Sequence, residues 1–229
     1  MDLKTKKDLH IPFTWDERRP ILLERFFYLP KQFDHKEAFL DFSGLEIFGN
    51  DRPVYLEICS GNGQWIGEQA LLNPATNWIA VEMRFDRART IWLKMFREKI
   101  PNLYVVCAEG AAFLSYYVRP GSIAKSFVNF PDPWPKRHHG KHRLIWAPFL
   151  QLLGKTMENG GSAMMLTDDA PYRDQMIREF DKVRMWKAEF PDPFYQTECS
   201  SYGDSFFGDL WKEKGREFFY MKYQYDANC

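Results

Sequence analysis

A chain of 229 residues, 45% hydrophobic, 17% aromatic and 27% charged, has the make-up of one folded domain or a domain with an arm, which excludes disorder throughout. Its 31 Lys+Arg balance 31 Asp+Glu, so no overall field recruits a polyanion, and apolar runs such as Phe26 to Leu29 fall far short of the ~20 residues a membrane span needs. The first nine residues alternate Lys, Asp and Leu without the apolar core of a secretory signal, and Cys59, Cys107, Cys199 and Cys229 form no C-x-x-C pair, so a cytoplasmic chain with reduced thiols is expected.

Residues 1–50 carry Pro12, Pro20 and Pro30 among many aromatics and end in the turn signal Phe48-Gly49-Asn50-Asp51; they are expected to be an N-terminal arm packed on a domain of residues 51–229. From residue 54 short apolar runs alternate with helical patterns, the rhythm of a parallel sheet built from βαβ units. Strands are expected at Val54 to Ile58, Trp78 to Glu82, Leu103 to Ala108, Ala124 to Asn129 and Ser162 to Thr167. Helical patterns run over Ile66 to Leu72, Asp86 to Lys99, Ala111 to Tyr117, Leu144 to Met157 and Tyr172 to Val183. Two late strands, Val183 to Phe190 and Glu217 to Tyr225, are expected to pair antiparallel and bring the count to seven. Trp78, Trp92, Trp146 and Trp186 sit inside apolar patterns and read as core.

The first strand runs into Glu57-Ile58-Cys59-Ser60-Gly61-Asn62-Gly63-Gln64-Trp65 and then a helix. Gly61 and Gly63 at such a turn let backbone pass close to a ligand, and a helix N-terminus favours polar or anionic groups, so a nucleotide-like cofactor is expected there. Ile66 stands where the dinucleotide fingerprint has its third glycine, which argues against NAD. Glu82, ending the second strand, suits ribose hydroxyls, and Glu109, after the third, suits an adenine edge. A tight turn flanked by surface acids would produce the same spacing.

The fourth strand leads into Phe130-Pro131-Asp132-Pro133-Trp134-Pro135-Lys136-Arg137-His138-His139-Gly140-Lys141-His142-Arg143. Three prolines in five residues exclude helix and interior strand, so a rigid loop is expected at the edge where open α/β sheets bind ligands. That loop would turn Asp132 toward the cofactor. Five Lys or Arg against one Asp between Lys125 and Arg143, with nine basic and fourteen acidic residues from Met157 onward, make the middle of the chain basic and its last third acidic. Because screening confines each charge to roughly 10 Å, this local excess is what a phosphate would feel. Trp134 is a candidate for stacking on a base, although a solvated charged loop with Trp134 in the core fits the same letters. No carboxylate or Cys completes a His set at helical spacing, so no metal is expected. In Thr167-Asp168-Asp169-Ala170-Pro171 one acid suits an N-cap, which leaves the other available to accept hydrogen bonds from a ligand at the cofactor edge.

On its Glu-Ile-x-x-Gly-x-Gly turn, its Phe-Pro-Asp-Pro-Trp-x-Lys-x-x-His loop and its later Thr-Asp, the chain resembles the bacterial tRNA (guanine-N7)-methyltransferases from about Phe48 to Tyr223. The resemblance implies a Rossmann-like class I methyltransferase fold, S-adenosylmethionine as cofactor, tRNA as partner and methyl transfer to N7 of a variable-loop guanosine. It implies that Glu57, Cys59, Gly61, Gly63, Glu82, Glu109 and Asp132 line the cofactor pocket, with Asp132 also catalytic, and that Lys136, Arg137, Lys141, Arg143, Asp168, Ser205 and Phe207 meet the substrate. Three positions depart from the family pattern. Cys59 replaces the first glycine of the turn, a change expected to be harmless if its φ is negative. Glu109 stands where Asp is more frequent, and Ser205-Phe206-Phe207-Gly208 lacks the Glu of Thr-x-Phe-Glu, with Asp209 one residue on. Another class I methyltransferase, or a non-catalytic RNA-binding module on this fold, remains open on these residues.

Overall fold

The computed structural model describes residues 20–31, 42, 44–134, 137–199, 202 and 215–229. Its centre is three parallel strands, β3 (Val54–Ile58), β4 (Asn77–Glu82) and β5 (Leu103–Cys107), in which every position of β4 and β5 is buried. Val, Ile and Leu fill these strands because both faces of a parallel sheet are covered. Toward the other edge come β6 (Ile123–Asn129) and β7 (Met157–Thr167), then β9 (Phe219–Tyr225) antiparallel to β7, and β8 (Trp186–Ala188) antiparallel to β9. The spatial order β5-β4-β3-β6-β7-β9-β8 contains the seven expected strands.

Two more strands come from the N-terminal arm. Strands β1 (Ile21–Leu23) and β2 (Phe26–Tyr28) form a hairpin, and β2 runs parallel to β5 with Phe26 beside Val105 and Tyr28 beside Cys107, so the sheet has nine strands. Phe26 and Phe27 are wholly buried, Arg25 at the turn (φ 55°) donates to the Ile100 carbonyl at 2.6 Å, and the Trp92 indole donates to the Glu24 carbonyl at 2.8 Å. Part of the arm is therefore built into the sheet edge. A short helix, α1 (Gly44–Phe48), precedes β3.

Helices cover both faces. On one side α2 (Gln64–Leu72) and α3 (Phe85–Arg97) pack with Trp65, Ile66, Ile91, Trp92 and Met95 against Trp78, Val105 and Cys107. In α3 the buried Ala88, Ile91, Trp92 and Met95 recur at helical spacing, and burying each large side chain stabilises by about 1.5–3 kcal/mol. On the other side lie α4 (Gly110–Tyr117), α5 (Ala147–Thr156) and α6 (Ala170–Asp181), which bring Phe113, Leu150, Leu153, Tyr172, Met176 and Phe180 onto Leu56, Ile58, Val81 and Met165. Helix α5 begins later than its apolar pattern, because Trp146 is extended and Pro148 occupies the first turn, where its missing N–H costs nothing. Trp78, Trp92 and Trp186 are buried as expected, whereas Trp146 is half-buried. Among the described residues no helix is long and apolar enough to cross a membrane.

Strands β4 and β6 flank β3, and the chain leaves them on opposite sides. At this reversal the connections diverge and open a cleft at the carboxyl ends of the strands.

Candidate active site

The cleft has a volume of about 450 Å³, within the range of small-ligand pockets. Its floor is the turn after β3, where Cys59 (φ 66°), Gly61 (φ 58°) and Gly63 (φ 70°) take left-handed conformations in alternation. Gly63 is required twice over: its φ disfavours any L side chain, and a Cβ there would lie 2.7 Å from Ile91 of α3. The condition attached to Cys59 is not met, since its φ is positive. The chain keeps the backbone shape of a glycine with a thiol in place, a conformation that costs on the order of 1–2 kcal/mol for a non-glycine residue. That thiol is on the cleft wall, and burial, then the carboxylates of Glu82, Asp132 and Glu57, raise its pKa and keep it protonated.

Two carboxylates hold the turn from either side. Glu82, 5% exposed at the end of β4, accepts from the Gly61 amide (2.9 Å, Oε2) and from the Arg84 amide (2.8 Å, Oε1). Burial raises its pKa, and these two donors oppose the shift. Glu57, 2% exposed, receives the Asn129 amide on Oε1 at 2.6 Å, while Oε2 is buried with no hydrogen-bond partner among the described residues. Burial pushes its pKa up to about 7, with the Ser60 hydroxyl and then the Asn129 amide acting against it. The Asn129 carbonyl oxygen accepts from the Tyr202 hydroxyl, and the Tyr202 ring stacks on Trp65 at 4.9 Å, so the orientation of the Asn129 amide is set at both ends.

The loop after β6 rises over this floor. It is pinned where the Phe130 amide donates to the Leu166 carbonyl (2.9 Å) and where Arg143 Nε donates to the Pro133 carbonyl (2.6 Å). Phe130 (φ 46°) and Trp134 (φ 42°) are both left-handed, strain of about 1–3 kcal/mol each that the rigid proline frame sustains. Asp132 lies between them, exposed, on the cleft wall, and makes no hydrogen bond among the described residues. Trp134 is 38% exposed with its ring 5.4 Å from that of His142, so it is not core filler. Arg143 is turned inward: besides Pro133 it bonds Gln175 at 2.5 Å and lies 4.7 Å over the Tyr172 ring. Lys141 is exposed on the 3-10 turn Arg137–His142.

Of the two acids after β7, Asp169 is the cap, its Oδ1 accepting from the Tyr172 amide at 2.7 Å. Asp168 faces the cleft, its side chain 13% exposed and ion-paired with Arg216. The structure thus brings Cys59, Gly61, Glu82, Asp132 and Asp168 onto one cleft wall, with Glu57 and Gly63 beneath. Glu109 is exposed at the start of α4, outside that lining. Lys136, Ser205 and Phe207, and the side chain of Arg137, lie outside the described residues. Met83, Arg84, Arg87, Asn129 and Arg216 also line the cleft and were missed from sequence. A polar residue closing a strand was a signal for Asn129; nothing local marked Arg216.

Residues 51–221 match the family described as "Putative methyltransferase". The tRNA (guanine-N(7)-)-methyltransferase of Chlamydia trachomatis serovar D is 42% identical over 213 residues, covering 93% of this chain and 94% of that protein. The chain belongs to the tRNA (guanine-N(7)-)-methyltransferase family. The enzyme of that name from Chlamydia muridarum is 41% identical over 213 residues, with coverage of 93% and 94%. That of Geobacillus thermodenitrificans is 35% identical over 127 residues, 56% of this chain and 58% of that protein. Among solved structures, an antibiotic-related methyltransferase superposes with a TM-score of 0.58 at 14% identity, covering 80% of this chain and 92% of the other. The 30S ribosomal A1408 methyltransferase from an uncultured bacterium gives 0.55 at 13% identity, with 85% and 95% covered. At such identities the likeness speaks for the fold, that of class I methyltransferases.

Proposed function

We propose that the protein transfers a methyl group from S-adenosylmethionine to N7 of a guanosine in tRNA. The observation that carries this reading is Glu57 Oε2, a buried acceptor with no hydrogen-bond partner among the described residues, at the foot of a cleft whose floor is a left-handed glycine turn. An acceptor of this kind fits the ammonium of an amino-acid cofactor, and the Gly61 turn held by Glu82 fits its nucleoside half. Met83, 59% exposed on the cleft wall, offers an apolar surface for a purine ring. When bound, S-adenosylmethionine supplies a methyl group on a cationic sulfur.

Guanine N7 carries an in-plane lone pair and no proton, so no side chain has to act as base before attack. The task of the chain is placement and charge. Positive charge appears on the guanine ring as the methyl arrives, and a fixed carboxylate beside the ring stabilises that state more than the ground state. Asp132, flanked by prolines on the cleft wall and with no hydrogen bond among the described residues, is the carboxylate available for this role. Asp168 accepts from guanine N1–H and the exocyclic amine, donors that adenine does not present together. Lys136, Arg137 and Lys141 meet RNA phosphates, Trp134 packs on an exposed base, and Ser205 and Phe207 complete the substrate side. Arg143 serves the same loop by holding it in place.

The test is incubation with methyl-labelled S-adenosylmethionine and unmodified tRNA, followed by nucleoside analysis. Label in 7-methylguanosine is the expected result; label in another nucleoside, or none, overturns the reading.

A further inference from the structure

Asn129 stands between the cofactor cleft and a residue outside it. Its Nδ2 donates to Glu57 Oε1 at 2.6 Å, and its Oδ1 accepts from the Tyr202 hydroxyl. Tyr202 lies outside the lining of the cleft and is 3% exposed. It is held independently of Asn129: its amide donates to the Cys199 carbonyl at 3.0 Å, its carbonyl accepts from the Trp65 indole at 2.9 Å, and its ring stacks on Trp65 with 4.9 Å between centroids. The hydroxyl is therefore fixed where Asn129 meets it.

A primary amide between two such groups has two self-consistent orientations. In the one present, N–H faces Glu57 and the oxygen faces Tyr202, which suits the carboxylate form of Glu57. In the other the amide oxygen faces Glu57, and two acceptors meet unless Glu57 carries a proton. The Tyr202 hydroxyl decides between them. With the amide turned over, the phenol oxygen would accept and the hydroxyl hydrogen would be buried without an acceptor, a loss larger than the net worth of an ordinary hydrogen bond. Tyr202 stays neutral throughout, because burial, then Glu57 and Tyr220, hold its pKa well above the ordinary value. Around Glu57, burial favours the protonated form, the Ser60 hydroxyl and the Asn129 amide oppose it, and the Glu82 carboxylate of β4 adds to it. Cys59, kept protonated by burial and then by Glu82, Asp132 and Glu57 against Arg87, brings no charge.

The geometry points to Tyr202 as a positioning residue for the cofactor: by donating to Asn129 it keeps the Asn129 N–H on Glu57, and so holds Glu57 as a carboxylate for the cofactor's ammonium without touching the ligand. This deepens the reading given above and rests on Glu57 receiving that ammonium.

The test is calorimetric affinity for S-adenosylmethionine from pH 5 to pH 8 in wild type, Tyr202→Phe, Glu57→Gln and the Tyr202→Phe/Glu57→Gln double variant, with the methylation rate at saturating cofactor alongside. Tyr202→Phe keeps the ring that stacks on Trp65 and removes only the donor. The acid limb of its affinity profile should move up by about one pH unit, so that binding at pH 7 weakens roughly fivefold while the rate at saturating cofactor holds. In the Glu57→Gln background the same change should shift no limb. An affinity that falls by one factor at every pH, or a limb that stays in place, overturns the proposal, because Tyr202 would then only pack. Should Tyr202→Phe fail to fold, replacing Tyr202 by 3-fluorotyrosine, a stronger donor of nearly the same shape, should move the limb down, and an unmoved limb there overturns the proposal as well. A wild-type profile without an acid limb removes the role of Glu57 and this inference with it. A limb that Glu57→Gln abolishes and Tyr202→Phe leaves in place sinks the inference alone.

Discussion

Asn129 donates its amide to Glu57 Oε1 at 2.6 Å, and Glu57 Oε2 is buried with no hydrogen-bond partner among the described residues. Half of this carboxylate is therefore satisfied by the protein and half awaits a donor.

A pH dependence follows. The pKa of Glu57 is raised from 4.5 to about 7, so the folded state holds a proton that the unfolded chain has already lost between those values. Stability from this group is fully present below pH 4.5 and is lost as pH rises through 7, up to about 3 kcal/mol. Glu82, also raised, acts in the same direction. Chemical unfolding at pH 5 and pH 8 should show a stability drop in wild type that is reduced in Glu57→Gln. Affinity for S-adenosylmethionine should move oppositely, falling as pH drops through 7 in wild type and staying level in the variant.

Glu82→Ala removes the acceptor of the Gly61 and Arg84 amides, so it should loosen the turn as well as the pocket. Calorimetry should show cofactor affinity down by ~1.5–3 kcal/mol together with a lower melting temperature. Unchanged affinity would remove Glu82 from the cofactor site.

Cys59 and Gly63 share one backbone conformation and should respond in opposite ways. Cys59→Gly relieves left-handed strain and should stabilise by about 0.5–1 kcal/mol after the entropy cost of glycine. Gly63→Ala adds strain and drives a methyl group into Ile91, so it should destabilise by about 2–4 kcal/mol. Denaturant midpoints check both.

Asp132→Asn should lower the single-turnover methylation rate by ~100-fold or more, the scale of losing one preorganised charge. Its melting temperature should hold, because Asp132 makes no hydrogen bond among the described residues. A normal rate would exclude the carboxylate from the chemistry.

Lys141 and Arg143 are both basic but should behave differently. Lys141→Ala should leave the melting temperature alone and flatten the salt dependence of tRNA binding by about 0.7–0.9. Arg143→Ala strips partners from the Pro133 carbonyl and Gln175, so it should cost about 1–3 kcal/mol of stability.

The seven strands and the helices between them were legible from residue 54 onward because parallel strands buried on both faces leave unbroken apolar runs, and amphipathic helices leave a period near 3.6. The hairpin of β1 and β2 was not, since Phe26 to Tyr28 is fixed in the sheet by pairing with β5, 79 residues away (Phe26 beside Val105), and Pro20 and Pro30 on either side read locally as an irregular arm. The acids at the ends of β3, β4 and β7 and the proline loop were visible in the letters, and with Asp168 read as the substrate-side acid the cap falls to Asp169, as observed; the inward turn of Arg143 was not legible.

What the sequence by itself determined is the order of elements, the turn, the loop and the family, all of which are local patterns of residue type. Tertiary structure alone decided that Asn129 and Tyr202 share a hydrogen bond beneath the cleft and that Arg216 meets Asp168. Those pairs are 73 and 48 residues apart, and their contact depends on sheet order and antiparallel register, which no short window of sequence contains.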